Sequence, residues 1–500
     1  MKLPVIDLII FLVYMGGIVL YGASFYFRKR SSSEFVSGSG RIPSWAIGMS
    51  IFATFVSSIS FLALPGSAYL NNWNGYALSL SIPIALLIAV TFFVPLYRRI
   101  NRISAYHFLE MRFGLWARVY ASACYLLTQL ARMGAVLYLL ALPLNAFLGW
   151  SIPVVIVITG ICVIVYATLG GLEAVIWTDA VQGIILIAGA LMCLIIIMFS
   201  MPEGPGQVFS IADAADKFSL GSFGSSLTES TFWVVFFYGL FINLQNFGID
   251  QNYVQRYISA KTDEGAKRAT WLGGLLYLPV SFLFFFIGTS LYAYYQAQPE
   301  LLPQHLRGSG NADKVFPYFI VSSLPTGLIG LVIASIFAAG MSTISTSINS
   351  SATVILEDHF KKYISKDLSE KGSMKILTLS SIFMGILSIV VALSLNGVKS
   401  ALDAYWALAS IFSGGILGLF LLAVLGKNVK NIYAVTGVIL GVFVIGWMSL
   451  SPVFVTDGVW RSPFHANLTI VFGTLVIFLS GFLFSLLSGS KKAVRNPGIQ

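Results

Sequence analysis

The chain has 500 residues, of which 57% are hydrophobic and 10% are charged, and its mean hydropathy is +0.85. Because a soluble domain carries roughly 25% charged residues, this composition excludes a chain built from soluble domains and indicates a polytopic membrane protein. The net charge of +10 would suggest a nucleic-acid partner in a soluble protein. Here it is explained by basic loops on the cytoplasmic side of a bilayer, so we expect a lipid bilayer and no nucleic-acid partner.

Apolar runs long enough to cross a bilayer recur along the whole chain. About thirteen such runs, each of roughly 20 residues, predict an all-α protein that forms a single transporter domain over residues 1–500. The first run is read as a retained helix, since basic residues follow it and do not precede it as in a signal peptide. The runs lie at 6–27, 44–69, 76–97, 119–148, 153–170, 177–200, 231–251, 270–296, 316–348, 374–395, 400–425, 432–451 and 468–488.

Lys and Arg residues are distributed unevenly between alternate loops. Cytoplasmic loops carry an excess of these residues, so the bias places the N-terminus outside and the C-terminus in the cytoplasm. The predicted inner Lys and Arg residues lie within 28–41, 98–118, 256–268, 361–375, 427–430 and 491–495.

The second run contains three hydroxyl side chains, Ser57, Ser58 and Ser60, followed by Pro65 and Gly66. Non-helical backbone at membrane depth is tolerated where it is buried in protein or lines a cavity. We therefore predict a broken helix at a binding site. The alternative is that the serines bond to carbonyls of their own helix and only bend it.

The seventh run contains three amide side chains, Asn243, Gln245 and Asn246, between Gly239 and Gly248. This pattern favours a second broken helix over a polar packing face.

A third cluster in the ninth run consists of hydroxyls. Several of them share one helical face, which could be either a close-packing face of small residues or a cation site. Hard cations prefer oxygen ligands, and we extend that preference to sodium. The cluster comprises Ser342, Thr343, Ser345, Thr346, Ser347 and Ser350.

Two charged residues stand out in apolar surroundings. Arg132 lies near the middle of a long run, with no acidic residue at mid-span to neutralise it, and is interpreted as an anchor for a carboxylate or as a structural arginine. Asp179 is placed at the cytoplasmic start of the sixth run. It is interpreted as a helix N-cap or as a cation ligand directed towards the hydroxyl cluster.

The sequence shows no enzyme signature. It has no paired carboxylates at mid-membrane, no HExxH and no arrangement of a nucleophile with histidine, so we do not expect an enzyme. The chain also has no soluble output domain, which argues against a sensor.

Four stretches together resemble the sodium–solute symporter family, in the expected order and over nearly the whole chain. They are the second run, WTDAVQG (177–183), VQRY (254–257) and AAGMSTISTS (338–347). Within the family the chain is most similar to bacterial sialic acid transporters, through RIPSWAIG (41–48), the second run and Arg132.

The resemblance implies a LeuT-type fold with two five-helix repeats of opposite topology. The repeats would occupy 44–200 and 231–425, preceded by the helix at 6–27 and followed by two helices within 432–488. The first helix of each repeat would be one of the two predicted broken helices.

The resemblance also implies one or two coupling sodium ions and no organic cofactor. The main sodium site would use the backbone oxygens of Ala53, Val56 and Ala339 with the hydroxyls of Ser342 and Thr343. The second sodium site would use Asp179, Ser342, Ser345 and Thr346.

For the substrate, the resemblance implies contacts from Ser57 and Ser60, a carboxylate anchor at Arg132, and further contacts from Asn243 and Gln245.

The chain departs from the sialic acid branch at two implied substrate positions. Phe55 stands where a sialic acid transporter has threonine, and Ser79 stands where it has glutamine. These changes remove hydrogen bonds to the sugar or shift them to neighbours such as Gln129. The sodium ligands are unaffected, but the identity of the acid stays open.

We therefore expect a monomeric, multi-pass protein of the bacterial inner membrane that imports an acidic sugar with sodium by alternating access. Sialic acid (N-acetylneuraminate) is the favoured solute. The alternative is sodium-coupled symport of a neutral sugar or another monocarboxylate, and a proton-coupled transporter is a further rival.

Overall fold

The computed structural model describes residues 4–27, 31–38, 40–364, 368–396, 401–426, 428–455 and 458–488. The described part contains no β-strand, and its only extended pairing is an isolated bridge between Ile42 and Ala260. The predicted all-α class is confirmed. The basic clusters at 28–30 and 491–495 lie outside the described residues, so they do not test the predicted orientation.

The first part of the chain contains eleven described α-helices. Helix α2 begins with the capping box that Ser31 and Glu34 form. The helices are α1 Val5–Ser24, α2 Ser32–Ser37, α3 Ser44–Phe55, α4 Ser58–Leu70, α5 Ala77–Leu80, α6 Ile82–Ile88, α7 Val94–Ile100, α8 His107–Phe113, α9 Leu115–Leu148, α10 Ile152–Phe199 and α11 Gly206–Ala214.

The second part contains nine described α-helices, and a π-helical segment, Ile355–Ile364, extends one of them (α16). The side chains of Thr231, Asp250 and Thr262 cap the first three. The helices are α12 Phe232–Ile249, α13 Gln251–Ser259, α14 Asp263–Ala297, α15 Ala312–Ser323, α16 Leu328–Val354, α17 Glu370–Ser394, α18 Ala401–Leu425, α19 Asn431–Phe454 and α20 Leu468–Leu487.

Ten helical stretches within the described ranges are long and apolar enough to cross a membrane, and the bent pair α3–α4 would make eleven. A multi-pass membrane protein is therefore confirmed, whereas the number of spans stays a prediction. The predicted runs 153–170 and 177–200 are joined in α10, which is kinked at Gly171 (φ 61°, ψ −171°). This positive φ favours glycine, which has no Cβ to clash.

The predicted run at 316–348 is wrong as one helix. The chain leaves α15 at Leu324, which is extended, and turns at Gly327 (φ 95°) before α16 begins. Glycine adopts this positive φ readily, whereas other residues do not. The turn at Gly327 therefore separates the two helices.

Helix α16 is the most deeply buried of the described helices, and it packs against α10, α9, α1, α3 and α4. On the opposite side of the broken helix, α14 packs closely on α4. A Cβ at Gly288 would lie 2.1 Å from the Pro65 carbonyl oxygen, so only glycine permits this approach. The fold thus holds the α3–α4 break between α16 and α14.

Candidate functional site

The predicted break in the second run is confirmed. Helix α3 ends at Phe55, Val56 and Ser57 are extended, and α4 leaves at an angle of 56°. The Ser57 amide donates to Ser60 Oγ at 3.5 Å, so the serines help to start α4 after the break. Pro65 does not end the helix, because α4 continues to Leu70.

The second predicted break is present, but it lies after the amide cluster and not within it. Helix α12 continues through the amides to Ile249, and the backbone is extended at Asp250 (φ −75°, ψ 127°) before α13. The Asp250 carboxylate accepts a hydrogen bond from the Asn252 amide at 2.7 Å. This N-cap sets the position of the break.

Most of the second predicted sodium set lies together. Asp179 is fully buried in the interior of α10 and not at a helix start, so its interpretation as an N-cap is wrong. Its carboxylate accepts hydrogen bonds from Ser342 Oγ at 2.7 Å and Thr346 Oγ1 at 3.4 Å. The Ser345 hydroxyl instead donates to the Ser342 carbonyl at 3.1 Å. These contacts join α10 to α16.

Arg256 is the functional candidate that sequence reasoning missed. It was assigned to a basic cytoplasmic loop, which is wrong, because its side chain is fully buried and forms an ion pair of 2.8 Å with Asp179. The guanidinium also donates to Ser50 Oγ at 2.8 Å and to Thr346 Oγ1 at 2.7 Å. A buried charge requires such partners, and the VQRY stretch was the one available signal.

The main predicted sodium set lies where α3 meets α16. Ala53, Val56 and Ala339 are buried, and the Thr343 hydroxyl donates to the Ala339 carbonyl at 3.1 Å. The described residues contain no cluster of three or more His, Cys, Asp or Glu side chains suited to a metal ion. The available donors are hydroxyl and carbonyl oxygens, the ligand class that hard cations prefer.

Arg132 reaches the first break from α9. Its Nη2 donates to the Thr54 carbonyl oxygen at 3.2 Å, in the last turn of α3. The expectation that no acidic residue faces this arginine is wrong. Asp250 is buried in the second break, and its carboxylate is attracted by Arg132. Gln129, three residues before Arg132, donates to the Asp250 carboxylate at 3.4 Å, so α9 contacts both breaks.

Phe55 belongs to an aromatic cluster beside the first break. Its ring stacks on Phe247, with 5.4 Å between ring centroids, and makes an edge contact with Tyr277 at 4.5 Å. Tyr277 was not predicted, since an aromatic residue in an apolar helix gives no distinguishing signal.

The remaining predicted substrate residues fall into two groups. Ser79 Oγ bonds with Ser281 Oγ at 2.7 Å, and the Asn243 amide nitrogen donates to Ser81 Oγ at 3.0 Å. These contacts hold α5 and the turn before α6 against α12 and α14. Gln245 instead lines a small cavity with Asp250, and its buried carbonyl oxygen has no hydrogen-bond partner among the described residues.

Comparison with known proteins identifies the family of the chain. The profile of the sodium:solute symporter family matches residues 35–441. The sodium/sialic acid symporter NanT of Aliivibrio fischeri is 34% identical, with 94% of this chain and 91% of the relative covered. The sodium/sialic acid symporter SiaT of Proteus mirabilis is 35% identical, with 86% of this chain and 87% of the relative covered.

A solved structure shows the same fold. It is a Na⁺-coupled sialic acid symporter in a substrate-bound, outward-open state, described as revealing a novel Na⁺ site. It superposes with a TM-score of 0.90 at 33% identity, and 98% of this chain and 99% of that chain are covered.

Proposed function

The chain belongs to the sodium:solute symporter family, and from that premise we propose that it imports sialic acid (N-acetylneuraminate) together with sodium across a bacterial inner membrane. It is a multi-pass solute transporter and not an enzyme. The two sialic acid symporters at 34% and 35% identity support the choice of solute. The observation that carries the proposal is the contact of Arg132 with the first helix break, from a helix that also contacts the second break through Gln129.

Arg132 suits the carboxylate of an acidic sugar. A guanidinium binds a carboxylate through two parallel hydrogen bonds, and its contact with the Thr54 carbonyl (3.2 Å) orients it towards the break. Ser57 and Ser60 lie on the next half-helix and would bind hydroxyls of the sugar, with Asn243 and Gln245 as further contacts. The site therefore combines one charge that selects an anion with several neutral polar groups.

Two sodium ions are proposed as cargo. The first binds the carbonyls of Ala53, Val56 and Ala339 with the hydroxyls of Ser342 and Thr343. The proximity of α3 to α16, where Thr54 Oγ1 lies 3.4 Å from Thr346 Oγ1, supports this set.

The second ion binds Asp179 with Ser342, Ser345 and Thr346. The hydrogen bonds from Ser342 and Thr346 to Asp179 support that set. Binding there requires the Ser345 hydroxyl to turn away from the Ser342 carbonyl.

The proposed architecture explains how binding becomes transport. The helices within 44–200 and 231–425 form two inverted repeats, and the breaks at 56–57 and 250 lie in the first span of each. The additional spans lie at 6–27 and within 432–488, which gives about thirteen in a monomer, with the N-terminus outside and the C-terminus in the cytoplasm. The repeats rock about the central site and expose it alternately to the two sides.

Sodium entry supplies the free energy for uphill uptake. Each elementary charge that crosses the membrane gains about 2.3 kcal/mol per 100 mV of inside-negative potential. Coupling requires that sodium and substrate stabilise the same conformation. Both proposed sodium sets share α16 and lie beside the α3–α4 break, so sodium is placed to order the backbone that the substrate contacts.

The aromatic cluster at Phe55 is the reason to test alternative solutes as well. An aromatic face replaces a hydrogen-bonding side chain next to Ser57, which would favour a less polar face of the solute. The alternative is therefore a neutral sugar or another monocarboxylate carried by the same sodium chemistry.

Uptake into proteoliposomes tests the proposal. An inward sodium gradient, with equal pH on both sides, should drive accumulation of N-acetylneuraminate, and hexoses and small carboxylates serve as competitors. Loss of stimulation by sodium would contradict sodium coupling and favour a proton-coupled transporter. A neutral hexose that competes better than N-acetylneuraminate would assign the alternative solute.

Arg132 variants test the carboxylate anchor. Arg132→Ala should weaken acid binding by at least about tenfold, because a charge-assisted hydrogen bond contributes about 1.5–3 kcal/mol. Arg132→Lys should restore it partly, since a lysine keeps the charge but lacks the planar fork. Unaltered affinity of Arg132→Ala for an acid that the protein transports would contradict the anchor.

A further inference from the structure

Four charged groups of alternating sign connect the proposed substrate site to the second sodium site, and three of them, Asp250, Arg256 and Asp179, are buried. Arg132 attracts Asp250, Asp250 is also attracted by Arg256, and Arg256 forms the ion pair with Asp179. The two end members are the proposed ligands of the substrate carboxylate and of sodium. The two inner members, Asp250 and Arg256, have no role in the function proposed above.

Hydrogen bonds connect the inner members to both ends. Gln129, three residues before Arg132 on α9, donates to Asp250 at 3.4 Å and accepts from the Asn252 side chain at 3.4 Å. The backbone N–H of Asn252 donates to the Asp250 carboxylate at 2.7 Å, and its backbone carbonyl accepts from Arg256 Nη1 at 2.6 Å. The second helix break is therefore the structural connection between the two sites.

Arg256 occupies two of the four ligands proposed for the second sodium ion. Its Nη2 donates to the Oδ2 atom of Asp179 at 2.8 Å and to Thr346 Oγ1 at 2.7 Å. Sodium and the guanidinium both carry one positive charge and would share Asp179 and Thr346. Two cations held by one buried carboxylate repel each other, so the two compete for Asp179.

The same argument applies at the other end with the signs reversed. Asp250 and a substrate carboxylate are both negatively charged and compete for the guanidinium of Arg132. A buried charge that loses its partner destabilises the protein, so each displaced group needs a new partner of opposite charge. The displaced Arg256 and Asp250 have opposite charges and can pair with each other. They lie six residues apart, at the start of α13 and within it.

We propose that Asp250 and Arg256 couple the second sodium site to the substrate site by exchanging partners. Sodium displaces Arg256 from Asp179, Arg256 turns towards Asp250, and Arg132 is released to bind the substrate carboxylate. The proposal rests on the proposed function and assigns positioning roles to both residues. Linkage requires that the substrate carboxylate favours sodium binding by the same factor.

The decisive quantity is the ratio of the substrate dissociation constants without and with sodium. N-acetylneuraminate is titrated by calorimetry into the purified full-length protein, once in choline and once in saturating sodium. Asp250→Asn removes the internal rival for Arg132, so affinity in choline should rise and the ratio should fall at least about fivefold, a typical coupling factor.

Arg256→Gln gives a second, independent readout. Removing the internal cation should lower the sodium concentration for half-maximal binding by about tenfold and reduce the coupling ratio. The effects of the two substitutions should be non-additive in the double variant. Asp358→Asn is the matched control, because its carboxylate is fully buried and hydrogen-bonded to Arg118 at 2.6 Å. This control should keep the wild-type ratio.

The outcomes separate the inference from the proposed function. A wild-type ratio in Asp250→Asn, or an unchanged sodium requirement in Arg256→Gln, would overturn the partner exchange while sodium-coupled binding stands. Absence of N-acetylneuraminate binding by the wild type in saturating sodium would overturn the proposed solute and the inference with it. If Asp250→Asn fails to fold, Arg256→Gln and Arg256→Lys still decide, because each alters the competition at Asp179.

Discussion

The Asp179 carboxylate and the Arg256 guanidinium meet at 2.8 Å, and both side chains are fully buried. The guanidinium further donates to Ser50, Thr346 and the Asn252 carbonyl, so its bonding capacity is well used. A pair with this geometry is tolerated in a low-dielectric interior, whereas either charge alone is not. The stability of the protein therefore depends on whether Arg256 or sodium neutralises Asp179.

Arg256→Ala should lower the free energy of unfolding by about 3–5 kcal/mol in choline, because Asp179 is left as an uncompensated buried charge. Sodium should restore part of this loss by binding the vacated carboxylate. Thermal unfolding in choline and in sodium measures both effects.

Arg268→Ala is the control for this substitution. Arg268 forms an exposed pair with Glu264, with side chains 74% and 64% exposed, and such pairs contribute about 0–1 kcal/mol. Equal losses of melting temperature for Arg256→Ala in the two salts would contradict binding of sodium at Asp179.

Replacement of Asp179 separates the two proposed sodium sites. Asp179→Asn should make the dependence of uptake on sodium concentration less steep without abolishing uptake, because the main site keeps all of its ligands. Ser342→Ala should impair both sites, since its hydroxyl belongs to both sets and donates to Asp179 at 2.7 Å. Initial uptake rates over a range of sodium concentrations provide the measurement, and an unchanged Hill coefficient in Asp179→Asn would count against a second coupled ion.

The aromatic cluster at the first break should influence which solute is chosen. Phe55→Thr removes the stack on Phe247 and the edge contact with Tyr277, each worth about 0.5–1.5 kcal/mol beyond buried area. It also supplies a hydroxyl beside Ser57. We expect reduced thermal stability together with tighter binding of N-acetylneuraminate relative to less polar acids.

Phe55→Leu is the matched control for solute choice, because it loses the aromatic contacts without adding a hydroxyl. Competition uptake with a panel of acids compares the two variants. If both change the preference among acids equally, packing and not hydrogen bonding determines the effect of this position.

The sequence was sufficient to predict the helical class, the α3–α4 break and the proximity of Asp179 to the hydroxyls of α16. These features follow from properties that are local in the chain. Hydroxyls at membrane depth indicate buried or cavity-lining backbone, and residues three or four apart share a helical face. For Asp179 the residues alone left two interpretations open, a helix N-cap or a cation ligand near the hydroxyl cluster, and only the family resemblance implied one site shared with Ser342.

Arg256 and Asp250 could not be predicted, for a different reason. The stretch that carries Arg256 is polar enough to be taken for a basic loop, and its burial arises from packing of α13 against α7, α14 and α16. The second break was placed at the amides because helix ends depend on capping, and the cap is the Asp250 side chain. Tertiary packing and side-chain capping therefore account for both errors.

The first helix should support the helix that carries the proposed sodium ligands. Asp7 on α1 is fully buried, and one oxygen of its carboxylate accepts hydrogen bonds from the amides of Gly327 and Gly330 at 2.8 and 2.7 Å. It thus caps the start of α16 from another helix, and its negative charge is favourable at that end of the helix dipole.

Asp7→Ala should therefore cost about 0.5–2 kcal/mol of stability, the usual effect of losing an N-cap. Because α16 carries Ser342 and Thr343, we also expect the sodium concentration for half-maximal uptake to rise. Asp7→Asn keeps an acceptor oxygen and should lie between Asp7→Ala and the wild type in both measurements. Thermal unfolding and sodium titration of uptake provide the data, and a wild-type melting temperature for Asp7→Ala would show that the α16 terminus is held without this carboxylate.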